Sequence, residues 1–121
     1  MKITPTQAAI LEHRLSAGTI PEVFADSEPP VPISETEKAV VEVEGFIALR
    51  FLPFETMTKL ELEVIIDCLD GSTFFGGGGA EDAVAEGTLS RSKLQRWHKA
   101  ADELEEMVSK AAGHPVRCAS R

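Results

Sequence analysis

Few residues in this chain of 121 are spaced for chemistry. His98 and Asp102 stand four apart and would share one face of a helix, where two side chains can hold one cation. Two ligands leave a tetrahedral site half built and no third is set by spacing, so we expect no metal. Gly76 to Gly79 precede a short helical stretch, the order found where backbone N–H groups cradle a phosphate. No Lys followed by Ser or Thr stands in P-loop spacing, and Glu81 and Asp82 would repel an anion, so the run reads as a hinge or mobile loop. Cys68 could be a nucleophile, but it falls inside an apolar helical pattern, where Cys serves as a small core residue. Carboxylates are abundant, yet a catalytic pair is marked by burial and shifted pKa, which residue types alone do not show. The expectation is no catalytic residue, no cofactor and no enzyme.

What the chain has instead is an uneven charge. The net charge is −8. A general nucleic-acid binder neutralises phosphates with a basic surface, so this balance makes nucleic acid an improbable partner and favours a basic protein surface. Residues 20–87 hold fifteen acids against Lys38, Arg50 and Lys59, a net of −12, whereas residues 88–121 hold seven bases against four acids. Arg91, Lys93, Arg96 and Lys99 fill the first half of the last helical pattern, and Asp102, Glu103, Glu105 and Glu106 the second. That order opposes the helix macrodipole. Internal compensation would come from pairing with Glu61, Glu63, Asp67 or Asp70, and from Lys99–Glu103 and Glu106–Lys110 at i, i+4.

The elements that would position these charges are helices. Thr58–Gly71 has the densest apolar pattern. Thr58 and Glu61 form a capping box, Met57 and Leu62 can staple it, Gly71 stops it, and Leu62, Ile65, Ile66 and Leu69 share one face. Glu61, Glu63, Asp67 and Asp70 make its other side acidic. Upstream, Thr4, Pro5 and Gln7 start a helix that Gly18 ends, with Ala8, Ile10, Leu11 and Leu15 inward. Thr19–Pro32 reads as an acidic proline-rich loop pinned by Ile20, Val23 and Phe24. Ser34 and Glu37 are expected to cap a second helix with Val40, Val43, Ile47 and Phe51 inward, although Val41–Glu44 also alternates as a strand would. Pro53 should end it.

After Phe74, Phe75 and the glycines, a short helix is expected over Ala80–Glu86, ending at Gly87. The last runs from Ser90, its cap, to Ala112. Leu94, Trp97, Ala101, Leu104, Val108 and Ala111 recur at heptad spacing, which suits either an internal bundle face or a homodimer seam. Trp97 should be at least partly buried. The stretch 80–99 has the order of a helix-turn-helix, with Arg91, Lys93, Gln95 and Arg96 as candidate readers. Two cysteines are too few for a disulfide framework, no signal peptide is evident in the first fifteen residues, and no apolar run approaches bilayer length, so a reduced, cytoplasmic, non-membrane protein is expected.

The fold class expected is all-α: one small four-helix bundle-like domain over 1–113 with an extra short helix, an acidic surface and a disordered tail over 114–121. Its core must be mostly aliphatic, with six Phe, one Trp and no Tyr. The function expected is that of a small acidic protein-binding protein, an inhibitor or adaptor that occludes a partner such as a nucleic-acid-binding protein. Size, acidity and lack of a catalytic signature make a phage-like or mobile-element profile by composition. Its contact face would be Glu55, Glu61, Glu63, Asp67, Asp70, Glu81 and Asp82 with the acidic loop. The alternative is the helix-turn-helix nucleic-acid binder, using Arg91, Lys93, Arg96 and Lys99.

Overall fold

The computed structural model describes residues 1–70 and 79–118, apart from the side chains of 79–81. Among the described residues six helices appear in order: α1 (Pro5–Ser16), α2 (Ile20–Ala25), α3 (Ile33–Ala48), α4 (Lys59–Asp70), α5 (Gly79–Ala85) and α6 (Arg91–Ala112). The chain is all-α, as its periodicity implies. Expectations for Phe74, Phe75 and the glycine run before residue 79 lie outside the described residues.

Local signals set most helix ends. Thr4 Oγ1 accepts from the Gln7 backbone N–H at 3.2 Å, and Gln7 Oε1 accepts from the Thr4 N–H at 2.9 Å, a complete capping box. Thr58 and Glu61 repeat it at α4, at 3.1 and 2.8 Å. Ser90 Oγ accepts from the Lys93 N–H at 3.2 Å to begin α6. Gly18, Gly87 and Gly113 sit at φ 72°, 79° and 78°, where a side chain would be strained. At the end of α3 this place is taken by Arg50, at φ 56°. The Phe51 N–H reaches back to the Phe46 carbonyl and the Arg50 N–H to that of Ile47, the bond pair of a Schellman cap without its usual glycine.

α1 packs against α3, α4 and α6, α4 also packs against α3 and α6, and α2 lies on α3. The centre is therefore shared by α1 and α4. The largest fully buried side chains are Ile10, Leu11, Ile20, Ile47, Leu52, Ile65, Leu69, Leu104 and three valines, plus one polar residue, Gln7. The core is aliphatic, with Trp97 as its large ring, only 3% exposed. The buried stripe of α4 is Glu61, Val64, Ile65, Cys68 and Leu69. It is rotated from the expected face, so Leu62 and Ile66 are half-buried at its flanks. Ahead of α1, Ile3 donates to Arg50 and Leu52 to Met1, a short antiparallel bridge that closes the end of the bundle.

Four expectations need correction. The loop Thr19–Pro32 contains α2: Pro21 lies in its first turn, where a missing N–H costs nothing. Of its expected anchors, Ile20 is buried, Phe24 half-buried and Val23 exposed. α3 begins at Ile33, capped by the Pro32 backbone with no side-chain hydrogen bond, so the Ser34–Glu37 box does not form. Phe51, expected on the inward stripe of this helix, falls beyond its end and is 46% exposed, whereas Val41–Glu44 is helical as expected rather than a strand. The tail is not loose over 114–118. Val116 and Cys118 are buried, the Val116 N–H donates to Ser109 Oγ at 2.8 Å, and the Cys118 N–H to Glu105 Oε1 at 2.6 Å.

Candidate functional site

The expected acidic face divides on folding. Glu61 is 9% exposed and its carboxylate is occupied in the α4 cap. Glu55 lies on a different surface, an apolar hollow with Met1, Phe51, Phe54 and Met107. Asp82 is exposed on α5, and the Glu81 side chain lies outside the described residues. Glu63, Asp67 and Asp70 stay together on one side of α4, and here the structure builds a groove.

The groove lies between α4, α2 and the start of α3, with a volume of about 590 Å³. Phe24, Pro29, Val31, Leu60 and Ile66 give it apolar lining, while Glu28, Glu35, Glu63, Asp67 and Asp70 face it against one base, Lys59. The spacing on α4 explains its half: Glu63, Asp67 and Asp70 follow at i, i+4, i+7, with Ile66 beside them. The opposite wall is made by the chain folding back after α2. Three bonds converge on the Phe24 carbonyl: from the Val31 N–H at 3.0 Å, the Ser27 N–H at 3.3 Å and the Ser27 hydroxyl at 2.7 Å. The hydroxyl also lies 2.9 Å from the Pro29 carbonyl. This closure carries Glu28 and Val31 to the rim.

Arg14 ties the groove to the bundle. Its Nε sits 3.3 Å from Asp67 Oδ2, and its Nη1 donates to Thr19 Oγ1 at 3.0 Å. Asp67 is thereby matched, and four carboxylates remain against Lys59. An apolar trough with unmatched like charges on its rim suits a ligand that is apolar on one side and cationic at its edges. Among the described residues no three of His, Cys, Asp and Glu are placed to share a metal ion.

The other candidates are placed as follows. Arg91, Lys93, Arg96 and Lys99 are all exposed on α6, and none closes an ion pair with a described residue. The expected internal compensation by Glu61, Glu63, Asp67 or Asp70, and the Lys99–Glu103 and Glu106–Lys110 pairs, do not form among them. Leu94, Trp97, Ala101, Leu104 and Val108 are buried within the single chain, so the heptad seam packs on this molecule's own core. Ala111, the next position, is exposed. A helix-turn-helix needs its first helix wedged against the second. α5 has seven residues and, among the described residues, packs extensively on no other helix. Cys68 is fully buried; desolvation, with Asp67 adding and Arg14 opposing, pushes its thiol up to about 12, so no thiolate is present at neutral pH. Among the described residues Cys68 and Cys118 are both buried and form no disulfide. No helix among the described residues is long and apolar enough to cross a membrane.

Sequence reasoning found Glu63, Asp67, Asp70 and the acidic loop. It missed Glu35 and the apolar lining, because Phe24 and Ile66 read as core residues until the loop's closure is known. Comparison with protein-family models, curated proteins and solved structures finds no match to this chain.

Proposed function

We propose that this chain is a small helical protein-binding protein, an inhibitor or adaptor, that occludes a basic surface of another protein. The observation that carries the reading is the groove between α2, α3 and α4, with apolar lining and five carboxylates facing it against one lysine. Its chemistry fits a basic amphipathic segment: aliphatic side chains enter the trough while Lys and Arg reach the rim. Segments of that kind are common on proteins that bind nucleic acid, because phosphate neutralisation demands the same cations. Occupying such a segment would compete directly with the nucleic acid.

The test uses a fluorescent Leu/Lys/Arg amphipathic peptide and anisotropy titration. Binding should be tight at low salt and weaken steadily as salt screens the rim. Glu63→Lys with Asp70→Lys should weaken it at least tenfold, and Asp82→Lys, away from the groove, should leave it almost unchanged. Binding that ignores both salt and the double charge reversal would overturn the reading.

A further inference from the structure

The groove's complement is present on the same molecule. Arg91, Lys93, Arg96 and Lys99 project from the first half of α6, all exposed and none paired with a described residue, while Leu94, Trp97, Ala100 and Ala101 hold that half of the helix to the core. At 1.5 Å per residue the acids Glu63 to Asp70 span about 10.5 Å along α4, and the bases Lys93 to Lys99 about 9 Å along α6. The two rows match in length and oppose in sign. Within one chain they do not meet.

We propose that the basic start of α6 of one molecule docks in the acidic groove of a second copy. The contact is head-to-tail: each molecule uses a different surface on each side, so it leaves one groove and one patch unfilled and can propagate. It also occupies the groove that the basic partner needs, so self-association is a stored form that the partner must displace. This rests on the groove reading above and adds its occupant in the absence of a partner.

Analytical ultracentrifugation tests it on the full chain. At about 10 mM salt, where the Debye length is about 30 Å, the mass should rise with concentration above the 13.1 kDa monomer, and at about 1 M salt, where it is about 3 Å, it should return to the monomer. A groove variant, Glu63→Lys with Asp70→Lys, and a patch variant, Arg96→Gln with Lys99→Gln, should each be monomeric alone. Mixed, the first still has its patch and the second its groove, so they should form a one-to-one pair and stop there. All four side chains are exposed or half-buried, and circular dichroism confirms folding of each variant.

A wild-type monomer at low salt, a patch variant that still associates, or a mixture that stays monomeric would overturn the proposal. The peptide titration separates the two claims. The patch variant keeps its groove and should bind the peptide at least as tightly as wild type. Peptide binding without self-association leaves the functional reading intact and removes this one. A one-to-one pair without peptide binding does the reverse.

Discussion

Gln7 is the polar side chain on which the contact between α1 and α6 turns, and exchanging it for Glu isolates one atom of that contact. The residue is 2% exposed. Its Oε1 completes the α1 cap, and its Nε2 donates to the Ala100 carbonyl at 3.2 Å. Gln7→Glu keeps shape and volume but sets an oxygen against that carbonyl, acceptor facing acceptor. Losing the bond costs about 1 kcal/mol, and a buried carboxylate short of partners adds about 1–3 kcal/mol or more. A carboxylate in the first helical turn returns about 0.3–1 kcal/mol. The expected net loss at neutral pH is about 1–4 kcal/mol.

Protonation reverses the sign, because the acid's O–H can donate where the amide did. The new carboxyl's pKa is therefore raised in the folded state. Its stabilising contribution is fully present below the unfolded value of about 4.3 and lost as pH rises through the folded one. Urea titrations of variant and parent, compared at each pH, should give a deficit that is small near pH 4 and full by about pH 7. Gln7→Leu, which loses both hydrogen bonds at similar volume, should show a deficit of about 1–3 kcal/mol that does not move with pH. A Gln7→Glu deficit that is flat with pH, or absent at neutral pH, would refute the placement of Gln7 Nε2 on α6.

Two further predictions concern single sites. Cys68 has its thiol raised from 9.0 to about 12. The unfolded chain therefore releases this proton first, and folding stability should fall as pH rises from about 9 towards 12, by about 1.4 kcal/mol per unit. Cys68→Ala should remove that alkaline slope in denaturant titrations, and a thiol reagent at mildly alkaline pH should reach Cys68 only as fast as the protein opens. Arg50 holds a left-handed conformation at the end of α3, at a cost of about 1–2 kcal/mol; its Nη1 donates to the Ile47 carbonyl at 3.1 Å and makes a long contact with Glu12 at 3.4 Å. Arg50→Gly should raise stability by a few tenths to about 1 kcal/mol, read as a shift in the urea midpoint, since glycine meets this φ freely but loses more entropy on folding.

The parts legible in the sequence were those whose cause is local. Thr4 with Gln7, Thr58 with Glu61, and Ser90 are each satisfied within one helical turn, and the Leu94–Val108 stripe needs only the helical period to be seen. What stayed hidden depended on partners far along the chain. Ser34 looks like a cap, but Pro32 fixes the backbone that starts α3 two residues earlier. The tail is short, and the Glu105 carboxylate and the Ser109 hydroxyl, both on α6, hold residues 118 and 116 as their side chains enter the core. The groove belongs to this second kind. Its α4 row was readable as i, i+4, i+7 acids, whereas its far wall exists only because Ser27 and Val31 close on the Phe24 carbonyl.

The charge order of α6 bears on which surfaces were shaped by binding. Four bases in the first half and four acids in the second oppose the macrodipole, at about 0.3–1 kcal/mol for each charge near an end. A helix under selection for stability alone would reverse that order without disturbing its core, because Arg91, Lys93, Arg96 and Lys99 all lie off the buried stripe. Part of the acid half does have a structural use, since Glu105 accepts from the Cys118 N–H. The basic half closes no ion pair with a described residue, so its arrangement gains nothing there from within the chain. The same holds in reverse at the groove, where Arg14 matches Asp67 and leaves four carboxylates to one lysine. Two opposite surfaces, each unfavourable when isolated and each relieved by contact with the other's chemistry, are what the proposed interface would leave on a free molecule.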